Sequence, residues 1–393
     1  MKVVLAFSGG LDTSYCARYL SHECGHDVYA VTINTGGFDK KEQATLERKA
    51  QELGVAEYTF IDETAAFYQE GVRYLLFGNV LKNATYPLSV SAERAFQALA
   101  VAQYAKQIKA DAIAHGSTGA GNDQIRFDTI FKAYYPEAEI ITPIRDNTLS
   151  REEEIQFLKD NGIGGNWEKS LYSINQGLWG TSVGGKETLT SHEPLPDHAY
   201  PNSCEKHESE DIKITFSKGE PVALNGNALS PVHVIEELTF IASRYAIGRD
   251  IHVGDTILGI KGRVGFEAAA PLILIKAHHL LEKHVLTKHQ LRIKEQVAMS
   301  YGDLMHEGLF LDPALRDMEA LLLSSQKKVT GDVFVRLHPY RFELLGISSP
   351  NDLMQSDFGH YGEMNKSWSG DDAKGFTKIY ANQLNIYKSV HND

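Results

Sequence analysis

Residues 2–14 read KVVLAFSGGLDTS, an apolar run that passes directly into a loop of glycine and hydroxyl residues. A continuous apolar run such as residues 3–7 is typical of a strand that is buried on both faces of a parallel sheet. Two adjacent glycines allow a tight turn, and a helix predicted over residues 12–22 would point its unpaired N–H groups at an anion. The loop adds three hydroxyl groups, on Ser8, Thr13 and Ser14. This stretch therefore predicts a phosphate-binding turn after the first strand of an α/β sheet.

The surrounding 150 residues repeat the alternation of apolar runs and helical patterns. Further strands are predicted at residues 28–33, 58–61, 112–115 and 140–144, and further helices at residues 40–53 and 94–108. Strands that alternate with helices in this way predict a doubly wound parallel sheet. Its ligand site should lie at the carboxyl ends of the strands, where the loop of residues 8–14 stands.

The remainder of the chain predicts a second architecture. Ser150 and Glu153 form a capping-box pattern that starts a helix, and the glycines of residues 162–165 mark a domain boundary. After a polar loop, the patterns predict two hairpins and two amphipathic helices. The hairpins fall at residues 212–224 and 333–345, and the helices at 231–247 and 312–326. We therefore expect an α/β domain over residues 1–165, an α+β domain over 166–360 and a helical tail over 361–393.

The tail carries a single apolar stripe on a helix predicted over residues 372–390. The stripe consists of Phe376, Ile379, Tyr380, Gln383, Leu384, Tyr387 and Val390. Such a face packs either on its own domain or on a neighbouring subunit, and the sequence leaves both uses open.

Composition argues against several classes of protein. Lys and Arg number 39 against 51 Asp and Glu, and the resulting formal net charge of −12 disfavours a dedicated binder of nucleic acid or anionic membranes. No apolar stretch approaches the roughly 18 residues of a membrane helix, and the N-terminus lacks a signal-peptide pattern. The three cysteines, Cys16, Cys24 and Cys204, form neither a CxxC pair nor a zinc spacing. We therefore expect a reducing compartment, the cytoplasm.

A second polar loop follows the fourth predicted strand. Residues 115–127 read HGSTGAGNDQIRF and combine glycine, hydroxyl, amide, carboxylate and guanidinium groups. That mixture can hold a zwitterion, because Asp123 suits an ammonium and Arg126 a carboxylate, while Thr118 and Asn122 can donate to another carboxylate. The alternative is a solvated loop without a ligand.

The two loops together resemble those of a known family. SGGLDTS is similar to the SGGxD[ST]S signature of the N-type ATP pyrophosphatases, which hold ATP on a pyrophosphatase (PP) loop. With the second loop included, the chain resembles the argininosuccinate synthases, although Ala120 stands where lysine is usual and Asp128 where glutamate is usual. The resemblance covers nearly the whole chain and reaches GFTKI, residues 375–379, in the tail.

The resemblance implies a ligase of arginine biosynthesis that is a cytoplasmic homotetramer. In that family the ureido oxygen of citrulline attacks the α-phosphate of ATP, pyrophosphate leaves, and the aspartate amine then displaces AMP from citrullyl-AMP. Residues 1–165 would be the ATP-binding PP-loop domain and residues 166–360 the synthetase domain. Mg²⁺ is expected on the pyrophosphate. Asp12 is a candidate ligand, unless it only orders the loop at the start of its helix.

The family's binding residues carry over to matching positions of this chain. ATP would be bound by Ala6, Ser8, Gly9, Gly10, Asp12, Thr13, Ser14, Ile33 and Gly116. Aspartate would be bound by Thr118, Asn122 and Asp123. Citrulline would be bound by Tyr86, Ser91, Asn122, Arg126, Ser173 and Ser182.

The pocket for the amino-acid end of citrulline departs from the family pattern. A glutamate and a tyrosine are usual there, and Gly254 and Phe266 stand in their places. One interpretation is that a neighbour, Asp255 or Glu267, compensates. The other is that the substrate is an N-acyl citrulline such as N-succinylcitrulline, which carries no ammonium. Two nearby cations would then be available for an added carboxylate: Lys261 and Arg263.

Two rival functions use the same first loop. A tRNA-thiolating enzyme would need catalytic cysteines and a basic RNA-binding face, which the cysteine spacing and the net charge disfavour. A non-catalytic nucleotide sensor would bind ATP without releasing pyrophosphate. No feature of the sequence indicates a nucleic-acid or membrane partner.

Overall fold

The structure is a computed structural model that describes residues 1–165, 167, 172–358, 361–362 and 367–391. Its strands are β1 (Lys2–Ala6), β2 (Asp27–Asn34), β3 (Glu57–Asp62), β4 (Ala112–Ala114), β5 (Glu139–Ile141), β6 (Ser173–Gly177), β7 (Gly180–Gly184), β8 (Glu210–Ser217), β9 (Glu220–Leu224), β10 (Asn227–Ala228), β11 (Arg249–Asp255), β12 (Lys261–Glu267), β13 (Gly331–His338) and β14 (Arg341–Ser348). Its α-helices are α1 (Leu11–Arg18), α2 (Lys40–Glu52), α3 (Thr64–Phe67), α4 (Arg73–Phe77), α5 (Ser89–Gln107), α6 (Asp123–Tyr134), α7 (Pro143–Asp146), α8 (Arg151–Asp160), α9 (Pro231–Ser243), α10 (Ala269–Val285), α11 (Lys288–His306), α12 (Pro313–Ser325), α13 (Gly370–Tyr380) and α14 (Asn382–His391).

The first sheet is parallel throughout and has the strand order β3-β2-β1-β4-β5. Val3, Val4 and Leu5 of β1 are fully buried, as an apolar run between two helical layers requires. The predicted fold class is thus confirmed, and each of the five predicted strands is present. The chain runs from β1 to β2 on one side and places β4 on the other. The loops after β1 and β4 therefore meet at the point where the strand order reverses.

Two predicted helices have different ends in the structure. The helix after β1 is α-helical only to Arg18 and continues to Glu23 as a π-helical turn. Helix α5 begins at Ser89 rather than Arg94, because its first turn is buried among other elements and does not depend on an amphipathic pattern.

Two antiparallel sheets form most of the remaining body. One has the order β10-β9-β8-β13-β14 and contains both predicted hairpins, and the other has the order β11-β12-β7-β6. At the turn after β9, Asn225 and Gly226 both have positive φ, 52° and 85°, as an Asn-Gly hairpin turn requires. Sequence analysis did not identify the second sheet. Strands such as β7 (GTSVG) and β12 (KGRVGFE) carry glycines and charges in place of an apolar alternation.

The C-terminal segment forms two helices, α13 and α14, instead of the single predicted helix. They are separated at Ala381, and neither buries any residue. Phe376 is 63% exposed and Tyr387 is 58% exposed, so the apolar stripe faces solvent. Much of the loose segment predicted at residues 359–370 lies outside the described residues. Within the described part of the chain, no helix has both the length and the apolar character needed to cross a membrane.

Candidate active site

The loop after β1 has the geometry of an anion site. Gly10 is the N-cap of α1 and makes no side-chain cap bond, so the N-terminus of this helix can bind an anion. Gly9 has a φ of +71°, and a Cβ at this position would collide with the Leu46 side chain of α2. The backbone conformation therefore favours glycine, and any side chain there would also displace Leu46.

Side chains brace this loop from within and from α2. The hydroxyl oxygens of Ser8 and Thr13 lie 3.2 Å apart, and Ser14 Oγ donates to the Gly10 carbonyl at 2.6 Å. Lys49 donates from Nζ to the Gly9 carbonyl, and burial lowers the pKa of its ammonium. Lys49 lies in a different helix and belongs to no local motif, so the sequence does not indicate its role.

Asp12 lies against Glu154 of α8, which is 3% exposed. Burial raises the pKa of both carboxyls, and the proximity of Asp12 helps to raise that of Glu154 to about 8, while Arg151 opposes the rise. Glu154 Oε2 is buried and has no hydrogen-bond partner among the described residues. Two such carboxyls fit either a shared proton or a cation. The described residues contain no group of three or more metal-ligating side chains.

The other residues predicted to bind ATP lie at the same edge of the sheet. Ala6 ends β1, and Ile33 on the adjacent β2 is 6% exposed. Gly116, just after β4, packs directly on the loop: a Cβ there would lie 3.1 Å from the Asp12 carbonyl carbon and 3.2 Å from Thr13 N. The structure thus brings together all nine positions predicted for ATP.

Asp123, the first residue of α6, is held by two arginines. Arg94 donates from Nε at 2.9 Å and Arg126 from Nη1 at 2.8 Å, one to each carboxylate oxygen. Burial alone would raise the pKa of Asp123, but the two guanidinium groups outweigh it and lower the pKa to about 2. The carboxylate is therefore ionised, and an incoming ammonium would share it with both arginines.

The neighbouring residues of this loop have different environments. Arg126 also donates from Nε to the His306 carbonyl at 2.8 Å, at the end of α11. Asn122 Oδ1 accepts from Ile257 N at 2.8 Å, so the tip of the β11–β12 hairpin rests on the second loop. Thr118 is exposed in that loop. The predicted aspartate residues are therefore adjacent, and a hairpin from the second half of the chain touches them.

A compact cluster gathers three of the six residues predicted to bind citrulline: Tyr86, Ser91 and Ser182. Tyr86 is 3% exposed, and its hydroxyl accepts from Ser89 Oγ at 3.3 Å and from Ser91 N at 3.4 Å, at the start of α5. Its ring contacts Phe266, with centroids 5.4 Å apart. Phe266 is paired with Ser182 across β12 and β7. Ser173 lies further along the same sheet, opposite Gly184, and is exposed.

At the altered pocket, the neighbours considered as compensating acids are occupied elsewhere. Gly254 is on the buried face of β11, whereas Asp255 is exposed and pairs with Lys261 at 2.7 Å. Glu267 accepts from Arg249 Nε at 2.9 Å. Two cations were suggested for an added carboxylate, and Lys261 is thus already paired. The second, Arg263, donates from its guanidinium to the backbone carbonyls of Glu187, Thr190 and Glu193.

Sequence analysis also did not identify the role of Arg94, although its position offered a signal. It is the only arginine in the otherwise alanine-rich α5 and follows Ser91 by three residues, which places both on one helix face. Its guanidinium joins three elements by donating to Asp123 of α6, to Asn175 of β6 at 3.0 Å and to Gln97 of its own helix at 2.8 Å.

The fold and this site define an ATP-binding enzyme of the α/β class: an anion loop ends the first strand, and a loop suited to amino-acid groups abuts it. Two family models match the chain. One, described as the arginosuccinate synthase N-terminal HUP domain, matches residues 2–164, and the other, described as the arginosuccinate synthase C-terminal domain, matches residues 172–387.

Curated relatives agree with these matches over nearly the full length. An argininosuccinate synthase of Methanocaldococcus jannaschii is 36% identical over 388 residues, which is 98% of this chain and 97% of that protein. Those of Dictyoglomus turgidum and Xanthomonas campestris are 37% and 36% identical, over 98% and 99% of this chain and 97% and 98% of theirs. The chain belongs to the argininosuccinate synthase family. It is a carbon–nitrogen ligase that uses ATP, and the comparisons do not favour the sensor, the acylated substrate or tRNA thiolation.

Proposed function

We propose that this protein joins citrulline to aspartate, forming argininosuccinate, AMP and pyrophosphate. The observation that carries the proposal is the contact between the two loops: Gly116, after β4, packs on Asp12 and Thr13 of the phosphate loop. An α-phosphate held by the first loop would therefore lie next to amino-acid groups held by the second. Holding the reactants together in this way accounts for a large part of the catalysis, because the adenylated intermediate is itself reactive.

The chain's residues divide the work between two steps. The N-terminal N–H groups of α1 would hold the pyrophosphate and stabilise its charge as it leaves. The cluster of Tyr86, Ser91 and Ser182 would orient citrulline so that its ureido oxygen attacks the α-phosphorus. The Thr118–Asp123 loop would then present the aspartate amine to the citrullyl carbon, from which AMP departs. Burial of Tyr86, Ser91 and Ser182 would limit access of water to the adenylate from the citrulline side.

Mg²⁺ fits the carboxyl pair of Asp12 and Glu154. Magnesium in phosphate sites is commonly held by one or two carboxylates together with phosphate oxygens and water. The unpartnered Oε2 of Glu154 supports this assignment. When bound, the ion would neutralise charge on the pyrophosphate.

We further propose that the protein is a cytoplasmic homotetramer with domain limits at 1–165, 166–360 and 361–393. The exposed apolar stripe of α13 and α14 supports assembly, because such a surface is normally covered. The change from a parallel sheet to antiparallel sheets supports the first boundary. Around the two internal boundaries, residues 166, 168–171 and 359–360 lie outside the described residues. The cysteines Cys16, Cys24 and Cys204 are all free, as expected in a reducing compartment.

Pyrophosphate release tests the catalytic proposal. Purified protein is incubated with ATP, Mg²⁺ and aspartate, and with citrulline, N-succinylcitrulline or neither. We expect release that depends on citrulline and on aspartate, with argininosuccinate as product. ATP binding without release in any mixture would contradict the proposal and favour the sensor. Release only with the acylated compound would contradict free citrulline as the substrate.

An Asp123→Asn variant tests the role of this carboxylate in the second step. Removing the charge leaves Arg94 and Arg126 without their shared carboxylate, so KM for aspartate should rise by about tenfold or more. KM for ATP should be unchanged, since the phosphate loop is not altered.

A further inference from the structure

His252 lies in the wall of the proposed citrulline pocket, and no role has yet been given to it. It is on β11, and its ring stacks on Tyr86 with centroids 5.1 Å apart and an interplanar angle of 27°. The side chain is 6% exposed, and Nδ1 is fully buried without a hydrogen-bond partner among the described residues. A buried nitrogen in this state calls for an explanation.

The glycine at 254 makes room for this ring. Residues 252 and 254 share one face of the strand, and both are buried. A Cβ at Gly254 would stand 2.7 Å from His252 Nε2 and 3.2 Å from Cε1. Any side chain at 254 would therefore displace the imidazole, so the histidine and the glycine form one structural unit.

The charged groups around the ring are two cations, Lys82 and Arg126, each paired with a carboxylate. Burial lowers the pKa of His252, and Lys82 lowers it further. His306 lies 6.5 Å away, and burial, Arg126 and Lys82 lower its pKa to about 3. Asp303 pairs with Lys82 at 2.8 Å, and Asp123 acts on His306 from the second loop. Both rings are therefore neutral at pH 7.

A hydrogen bond from this ring to a ligand requires the proton on Nε2. A neutral imidazole has one N–H donor and one acceptor, and the hydrogen bonds available decide which nitrogen carries the proton. Nδ1 is sealed off, so only Nε2, next to the side-chain-free Gly254, can reach a ligand. An Nε2–H in that position selects a hydrogen-bond acceptor.

We propose that His252 is a specificity-determining residue that donates from Nε2 to an oxygen at the amino-acid end of the citrulline substrate. The inference rests on the proposed function. The oxygen belongs either to the α-carboxylate of free citrulline or to the acyl carbonyl of an N-acyl citrulline, and both present the same acceptor chemistry.

Three variants test this role. His252→Phe keeps the stacked ring and removes the donor, while His252→Gln keeps an N–H donor near the Nε2 position. We expect H252F to raise KM for the citrulline substrate about tenfold or more, with kcat and the KM values for ATP and aspartate within about twofold. H252Q should recover most of the loss. Gly254→Ala should raise the same KM, because its methyl group displaces the ring.

The outcomes separate this inference from the proposed function. Wild-type turnover is measured first, and its absence contradicts the proposed function. Turnover with a KM for the citrulline substrate that is unchanged in H252F overturns the inference. If H252F does not fold, as judged by its thermal midpoint, an unchanged KM in G254A overturns it instead.

Substrate analogues identify the oxygen. The ratio of KM in H252F to KM in the wild type is measured with citrulline, N-succinylcitrulline and N-carbamoylputrescine, which lacks the carboxylate. A raised ratio for citrulline that falls to one with N-carbamoylputrescine supports the α-carboxylate as the acceptor. A raised ratio only with the acylated compound supports the acyl carbonyl. A ratio of one with all three compounds overturns the inference.

Discussion

At single residues of this site, both the backbone conformation and the packing limit which side chain is tolerated, and Gly9 is the clearest example. Its positive φ and its contact with Leu46 are independent reasons for glycine, whereas the adjacent Gly10 has an ordinary extended conformation with φ −69° and ψ 179°. A Cβ at Gly10 would meet only Ser8 Oγ, at 3.4 Å. The backbone conformation therefore favours glycine at position 9, whereas other residues could adopt the conformation of position 10.

Gly9→Ala should consequently destabilise the protein where Gly10→Ala does not. Left-handed backbone strain and the displaced Leu46 should lower the free energy of unfolding by about 1–3 kcal/mol and weaken ATP binding. Gly10→Ala should change the free energy of unfolding by less than about 0.5 kcal/mol. Urea unfolding and ATP titration check both variants, and equal losses in the two would refute the distinction.

The site residues that local patterns alone predict lie in two continuous motifs, whereas Tyr86, Ser91, Ser173 and Ser182 follow only from the family resemblance. Ser8–Ser14 and Gly116–Asp123 each follow a predicted strand, so local pattern and the rule for parallel sheets placed both at one edge. Lys49, Glu154 and His252 reach the same region from α2, α8 and β11. Their arrival depends on packing between distant segments, which no local pattern encodes.

Among the structural elements, α5 links the layers around the site. Glu93 Oε2 accepts from Thr35 Oγ1 at 3.0 Å, just after β2, and the next residue, Arg94, reaches α6 and β6. Glu93 is 1% exposed, and burial raises its pKa to about 7 even though Arg94 and Thr35 oppose the rise. Residues 89–93 of α5 are all buried, so they show no amphipathic pattern, and the sequence predicts the helix only from residue 94.

The raised pKa of Glu93 predicts a pH-dependent stability. Between the ordinary glutamate pKa of 4.5 and the raised pKa of about 7, the folded state binds the proton more tightly than the unfolded chain, so this residue's contribution to stability falls as pH rises and then becomes constant. The total change should be on the order of 3 kcal/mol.

Glu93→Gln should remove this contribution. The difference in unfolding free energy between wild type and E93Q, measured in urea from pH 4.5 to 8, should fall with pH and level off near pH 7. The exposed Glu47→Gln serves as the control and should give a flat difference. A flat difference for E93Q as well would show that the buried carboxyl is ionised throughout.

The sequence predicts strands correctly where burial alone determines their pattern of apolar residues. The parallel strands are apolar because both faces are covered, and the β8–β9 and β13–β14 hairpins have clear turns. Strands β6, β7, β11 and β12 form a sheet that carries residues proposed to bind substrate, and glycine, hydroxyl and charged side chains interrupt its alternation. The sequence pattern of this sheet is therefore weak.

At the level of the whole molecule, α13 and α14 present an apolar stripe that no part of the described body buries. Ile379 is 71% exposed and Leu384 is 69% exposed. The sequence predicted the stripe, but it left open whether the stripe packs on its own domain. Exposure along both helices favours a neighbouring subunit.

Charges on this stripe should therefore reduce the size of the assembly. Ile379→Asp combined with Leu384→Asp should lower the mass measured by light scattering, because burying two carboxylates at an interface is costly. Lys378→Asp with Asn385→Asp places carboxylates on the opposite face and should leave the mass unchanged. Equal masses for both pairs would exclude the stripe as a subunit contact.

The β11–β12 hairpin gives the two amino-acid pockets a common wall. His252 and Gly254 face Tyr86 from one strand, and a few residues further on Ile257 N is bonded to Asn122. A ligand that moved this hairpin in one proposed pocket would also move it in the other. Citrulline and aspartate should then bind with an interaction free energy between them, and linkage requires each to change the affinity of the other by the same factor.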